Sequence, residues 1–230
     1  MNLARRIAVL VMLFTLTACA GPSLRPEVGA RLKAGKVAAA VYMEDKSIEY
    51  KELVYKVFWN QEHHQRATFA GLWDVDTDLS EKFAKALNGI GLSTVAANKV
   101  LPEIDFKVLM DALAATRAGP LELSSDTREQ LRHAGVDFFI ALRAPHFSVQ
   151  TGSFFFGNLA LSMHSLLVVY DVKGAQEEYR DLFSIGRNMG YDDSPRDIEL
   201  NGLAKLRQAM YSSMETTVND RLPDILSLPY

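Results

Sequence analysis

The stretch NLALSMHSLLVVYDV (158–172) puts Leu159, Leu161, Met163, Leu167 and Val169 at alternating positions. Side chains of an extended chain point to opposite faces in turn, so these five make one apolar face of a long strand. Lys173-Gly174 then reads as a turn, and EEYRDLFSIGR (177–187) as a second strand, giving a hairpin. Such a hairpin cannot bury its apolar face alone. It requires neighbouring strands and a covering layer.

The rest of the chain supplies both. KVAAAVYM (36–43), ELVYKVFW (52–59), GLSTVAA (91–97) and VDFFIALRA (136–144) read as further strands, short and rich in β-branched or aromatic residues. DTDLSEKFAKALNG (76–89) has acids in its first turn, apolar Leu79, Phe83, Ala86 and Leu87 at helical spacing, and a terminal glycine. EIDFKVLMDALAATRAG (103–119) reads as a helix with Ile104, Val108, Leu109, Ala112 and Leu113 on one side. SSDTREQLRHAG (124–135) reads as a short helix capped by Ser124 or Ser125 and stopped by Gly135. Ser194-Pro195 is a cap and first-turn pair for a long last helix through about Asn219, ended by Pro223. The expectation is one α/β domain over 36–230: a mixed sheet of about five to six strands backed by helices, with a long C-terminal helix.

Cys19 is the sole cysteine. It ends a segment that opens with Arg5-Arg6 and continues through an apolar run over 7–16, the shape of an export signal. That run is too short to span a hydrocarbon core, which needs roughly 20 residues. Leu16-Thr17-Ala18-Cys19 resembles the lipobox of bacterial lipoproteins. The resemblance implies a signal peptide over 1–18, acylation of the Cys19 thiol, cleavage before it, and acylation of the new amino terminus. Two or more acyl chains hold a protein on a membrane stably, where one does not. Ala20 is not the aspartate that retains such proteins at the inner membrane of enteric bacteria, so the periplasmic face of the outer membrane is the expected location. AGPSLRPEVGARLKAG (20–35) reads as a flexible tether, able to reach at most about 55 Å when extended.

Cleavage removes two arginines, leaving 23 Lys and Arg against 28 Asp and Glu, a formal charge of −5. That acidic balance gives no electrostatic case for binding nucleic acid or anionic lipid over a broad surface. With its thiol acylated the domain has no disulfide, and its core alone must hold it together.

LRHAGVDFFIALR (131–143) runs from helix through Ala134-Gly135 and Asp137 into a strand, and the later hairpin carries Leu166–Asp171, Gly174 and Tyr179. These features resemble the fold of the TolB amino-terminal domain and the curli-secretion lipoprotein CsgG, over roughly residues 80–187. The resemblance implies roles in envelope assembly, secretion or enzyme activation through protein contacts, without an active site.

Sites of chemistry are weakly supported. Asp74, Asp76 and Asp78 alternate as in a calcium loop, but Leu79 stands where that loop needs glycine and Lys85 where it needs a bidentate glutamate. Adjacent His63 and His64 point to opposite faces of an extended chain, and with His133, His146 and His164 they show no metal-ligand spacing. Ser162, His164 and Asp171 lack a nucleophile elbow, and no glycine-rich phosphate loop occurs. Neither metal nor cofactor is expected. TGSFFFGN (151–158) is the odd stretch, because Phe154, Phe155 and Phe156 cannot all face one core in an extended chain. It reads either as a packed loop or as an exposed aromatic tip for a protein partner or a membrane. The leading functional expectation is a non-catalytic, protein-binding lipoprotein of envelope assembly or transport. Binding of lipid or a small ligand in a cleft beside the sheet is the alternative, and an uncharacterised hydrolase the third.

Overall fold

A computed structural model describes residues 23–56, 59–151, 159–189 and 203–228. Five helices and eight strands follow one another as α1 (Pro26–Ala34), β1 (Lys36–Met43), β2 (Ser47–Lys56), β3 (Trp59–Thr68), α2 (Val75–Gly89), β4 (Ser93–Ala96), α3 (Glu103–Ala115), α4 (Ser125–His133), β5 (Phe138–Ala144), β6 (Phe147–Thr151), β7 (Leu159–Asp171), β8 (Gln176–Met189) and α5 (Ala204–Ile225). The expected single α/β domain with a mixed sheet and a long last helix is what forms, with more strands than the five to six expected.

The sheet is organised around the hairpin from which the sequence reading began. β7 pairs with β8 along one edge from Leu159↔Met189 to Asp171↔Gln176. Its other edge takes two strands end to end, β5 opposite 166–171 and β6 opposite 159–163. β1 and β2 repeat the device one row further, lying parallel to β5 and β6 respectively. Both rows break at the same level, where the Glu44 and Asp45 amides donate to the carbonyls of Ala144 and Pro145 at 2.8 Å. Beyond them β4 lies parallel to β1, and β3 runs antiparallel to β2.

Helices cover both faces of the half of the sheet that holds β1 and β5. On the first face Val37, Ala39 and Val41 of β1, Ile140 and Leu142 of β5, and Leu167 and Val169 of β7 pack under α1, α2 and α5. On the second, Ala38, Ala40, Phe139, Ala141, Val168 and Tyr170 meet Leu109 and Leu113 of α3 and Leu131 of α4. Double coverage explains the unbroken apolar runs of β1 and β5. β4 pairs with β1 from Lys36↔Ser93 only as far as Ala39↔Ala96, so the amides of Val41 and Met43 lose a strand partner inside the core. Ser80 Oγ and Asp76 Oδ1, both on α2, accept from them at 2.8 and 2.9 Å. A buried amide left unpaired would cost about as much as a lost hydrogen bond.

Four expectations need correction. The tether reading of 19–35 fails from residue 23 onward: α1 is helical, and Leu24, Val28 and Leu32 are buried in the main core. Gly29, read as a flexibility signal, lets the helix touch the chain end, since a Cβ there would meet the carbonyl oxygens of Leu226 and Ser227 at 2.5 Å. The single strand expected over 52–59 is divided between β2, which ends at Lys56, and β3, which begins at Trp59; the sequence of β3, WNQEHHQRAT, carries no apolar alternation because it is an edge strand, and edges are kept polar. On α3 the buried residues are Leu109, Met110 and Leu113, while Ile104 and Val108 face solvent. Pro223 sits inside the last turn of α5, which continues to Ile225. The Ser194-Pro195 start, Cys19 and the 1–18 signal lie outside the described residues.

Candidate functional site

Polar chemistry gathers where the parallel strands β1 and β5 begin. Gly135 ends α4 with a positive φ of 75°, a conformation that glycine adopts without a Cβ penalty, and turns the chain into β5. Asp137 then ties three strands together. Its amide donates to the Lys36 carbonyl at 2.8 Å, its carboxylate accepts from the Lys36 amide at 3.0 Å, and its carbonyl accepts from Val172 at 3.0 Å. Lys173 closes on the same carboxylate at 2.5 Å. The Ala134-Gly135-Asp137 pattern singled out in the sequence therefore has a structural task.

α1 crosses these strand ends in order. Arg25 pairs with Glu178 of β8, Arg31 with Asp171 of β7 at 2.7 Å and with Glu178 at 3.3 Å, and the Arg31 guanidinium lies 5.3 Å from the centre of the Phe138 ring of β5. The turn amide of Gly174 also donates to Asp171, at 2.7 Å. The Lys173 ammonium holds the Asp137 carboxyl below its ordinary range. Burial pushes Asp171 and Glu178 up, but their donors outweigh it: the Gly174 amide and Arg31 for one, Gln176 and Arg25 for the other, so both end below their ordinary range. Beside this network lies an open groove of about 560 Å³ lined by Glu129, Arg132, His133, Gly135, Val136, Asp137 and Lys173. A smaller hollow of about 280 Å³ adjoins it along Arg31, Gly35, Phe138 and Asp171. The lining is charged, with Lys173 and Asp137 paired across it. It suits a small polar ligand better than an acyl chain.

The residues singled out for chemistry are dispersed. Asp74 caps α2 by accepting from the Thr77 amide, Asp76 holds the Met43 amide and Lys46, and Asp78 accepts from Trp73 Nε1 at 2.7 Å and from the Tyr211 hydroxyl. Burial, and then Asp78, push the Tyr211 hydroxyl up. Each acid thus has its own protein donor. His146 Nε2 lies 3.0 Å from Glu49, His164 Nδ1 2.8 Å from Ser184, and His133 closes α4. His63 and His64 fall on edge strand β3. Among the described residues no three His, Cys, Asp or Glu come close enough to hold a metal ion. Ser162 faces Gly186 across the hairpin, and Asp171 is seven residues along β7 from His164, about 23 Å at ~3.3 Å per residue. The Ser-His-Asp set is not assembled.

Apolar surface remains exposed on the second face. Ile104 is 73% exposed, with Val108 one turn further along α3, and Leu182 on β8 is 76% exposed. Phe154, Phe155 and Phe156 lie outside the described residues. Arg25 and Arg31 were missed from sequence because 20–35 was read as tether, and without them Glu178 had no visible partner. Pro26 in the first turn, Gly35 after the last, and Leu24, Val28 and Leu32 four apart were the available helix signal.

No protein-family model matches the sequence, and no curated protein is detectably similar to it. Solved structures give distant likenesses. The hypothetical protein CT253 from Chlamydia trachomatis superposes with a TM-score of 0.41 at 12% identity, covering 83% of this chain and 97% of that one. PelC from Paraburkholderia phytofirmans, solved as a dodecamer, gives 0.41 at 10%, covering 90% and 95%. Lipoprotein GNA1162 from Neisseria meningitidis gives 0.36 at 10%, covering 76% and 96%. This is a distant structural similarity to bacterial proteins that include a lipoprotein. It does not single out the TolB amino-terminal domain or CsgG, the narrower expectation. Among the described residues, no helix is long and apolar enough to cross a membrane.

Proposed function

We propose that this chain is a cell-envelope lipoprotein, held by acylated Cys19 on the periplasmic face of the outer membrane, that binds another envelope protein during assembly or transport and catalyses nothing. The observation that carries the reading is the placement of the sole cysteine after Leu16-Thr17-Ala18, at the end of an apolar run and five residues before the first core residue, Leu24. Protein binding is supported by exposed Ile104, Val108 and Leu182, since large apolar side chains left in water gain most by being covered. Phe154–Phe156 are a further candidate contact.

Mass spectrometry of the mature amino terminus tests the anchor, with acyl chains on Cys19 as the expected result. A photo-crosslinker at position 104, in intact cells, tests the contact and should capture one protein in stoichiometric yield. An unmodified Cys19 would overturn the lipoprotein reading. Exclusive co-purification of a small molecule, lost on substituting Lys173 or Arg132 in the charged groove, would favour the ligand-binding alternative.

A further inference from the structure

The corrected amino-terminal segment changes how the domain can stand on a membrane. Leu24 is fixed to the chain end: its amide donates to the Ile225 carbonyl at 2.8 Å, and its carbonyl accepts from Ser227 Oγ at 2.6 Å. Arg25 and Arg31 fasten α1 to β8 and β7. Leu24 is therefore fixed to the domain, and the reach from Cys19 is bounded by the residues between them. From Cys19 to Leu24 is five residue steps, at most about 18 Å at ~3.3–3.6 Å each, against the roughly 55 Å of a full tether. An acylated cysteine sits at the boundary between hydrocarbon and headgroups, and the headgroup layer is itself about 5–8 Å thick. The remaining reach is about 10 Å, the diameter of one helix. No folded protein fits in that gap.

The end so held also has a charge pattern that suits phosphate. α1 lies across the starts of β5 and β1 and the hairpin end of β7 and β8, and its ion pairs are layered. Arg25 is 59% exposed over Glu178 at 3%, and Arg31 is 52% exposed over Asp171 at 6%. The strand carboxylates lie buried behind the two guanidinium groups, while Glu27, 3.8 Å from Arg25 and itself exposed, shares the surface with that guanidinium. A guanidinium with its fork partly free can take a phosphate oxygen while keeping its carboxylate. The exposed large hydrophobic residues of the described chain are Leu72, Ile104, Val108 and Leu182, and none is on α1. Contact by this end is with headgroups, without insertion.

We infer that the α1 end of the domain, through Arg25 and Arg31, rests on the phospholipid headgroup layer of the bilayer that holds Cys19, with the strands directed away from it. β7 spans thirteen residues, about 40 Å at ~3.3 Å per residue, so Thr151 and Leu159 stand that far from the Asp171 end. The opposite end of the sheet and the β2–β3 hairpin then face the periplasm, where a partner can reach them. This inference rests on the acylation of Cys19 proposed above.

The test uses the acylated full chain, whose lipid-blocked Cys19 leaves an introduced thiol as the sole labelling site. Ala30→Cys lies on the exposed side of α1 and Gln150→Cys at the far end of β6, both exposed. Each carries a donor dye, and vesicles of phosphatidylethanolamine and phosphatidylglycerol carry a headgroup-linked acceptor. Energy transfer should be several-fold stronger from position 30 than from 150, and unchanged thermal midpoints would show that both variants are folded. Equal transfer from the two sites, or stronger transfer from 150, overturns the orientation while the anchor stands. Absence of acyl chains on Cys19 by mass spectrometry overturns the orientation and the anchor together.

Discussion

Replacing Leu32 by alanine tests whether α1 belongs to the core. Leu32 is fully buried in the main apolar cluster, with Val28 beside it on the same helix face. Alanine lacks three of its carbon atoms, worth about 2.4 kcal/mol at ~0.8 kcal/mol for each buried group. Incomplete collapse leaves a cavity of about 50 Å³, which at ~24 cal/mol per Å³ adds about 1.2 kcal/mol. The loss should be about 3–4 kcal/mol. In urea, with a slope of roughly 2–3 kcal/mol per molar for a domain of this size, the midpoint should fall by about 1–2 M. The measurement uses the mature chain with Cys19→Ser, followed by circular dichroism. Ala30→Ser, on the exposed side of the same helix, is the control and should stay within about 0.5 kcal/mol. A flexible tether predicts no change for either. A chain beginning at Lys36 that unfolds at the same urea concentration as the mature protein would refute the argument, and with it the short reach from Cys19.

Acid should loosen the same end of the molecule. Asp137, Asp171 and Glu178 all titrate below their ordinary values of 3.8, 3.8 and 4.5 when folded. Their contribution is thus complete above about pH 5 and is lost as pH falls through the lowered native values. Urea titrations between about pH 6 and about pH 3 should show stability falling, and Arg31→Gln should flatten that limb. An unchanged limb would remove Arg31 from the account. Asp76→Ala strips the Met43 amide of its acceptor inside the core and should cost about 1–3 kcal/mol. Calcium should leave the thermal midpoint of the native protein unchanged. A rise of several degrees, abolished by Asp76→Ala, would show that these acids bind the ion.

The sequence by itself determined the elements whose pattern comes from burial on both sides or from strong local signals. β1, β5, β7 and β8, the hairpin turn at Lys173-Gly174, the acidic first turn and glycine end of α2 and the glycine stop of α4 were legible for that reason. Asp137 was visible as part of a motif, although its task of joining β1, β5 and the hairpin was not. Tertiary structure decided the rest. The helix signal of Pro26 and Gly35 was outweighed locally by Gly29, yet the backbone of Leu226 and Ser227 comes so close to Gly29 that only glycine fits, which makes the segment core. α3 is apolar over much of its circumference, so its sequence could not say which side meets the sheet. Packing buried Leu109 and Leu113 and left Ile104 in water. β3 has no apolar face to reveal it, because an edge strand is defined by its hydrogen-bonded neighbour. The two broken rows, β5 with β6 and β1 with β2, are visible only once β7 is in place to pair with both pieces. Local patterns record the average surroundings of a side chain. Which partner supplies those surroundings, across more than a hundred residues of chain, depends on the close approach of segments that only folding brings together.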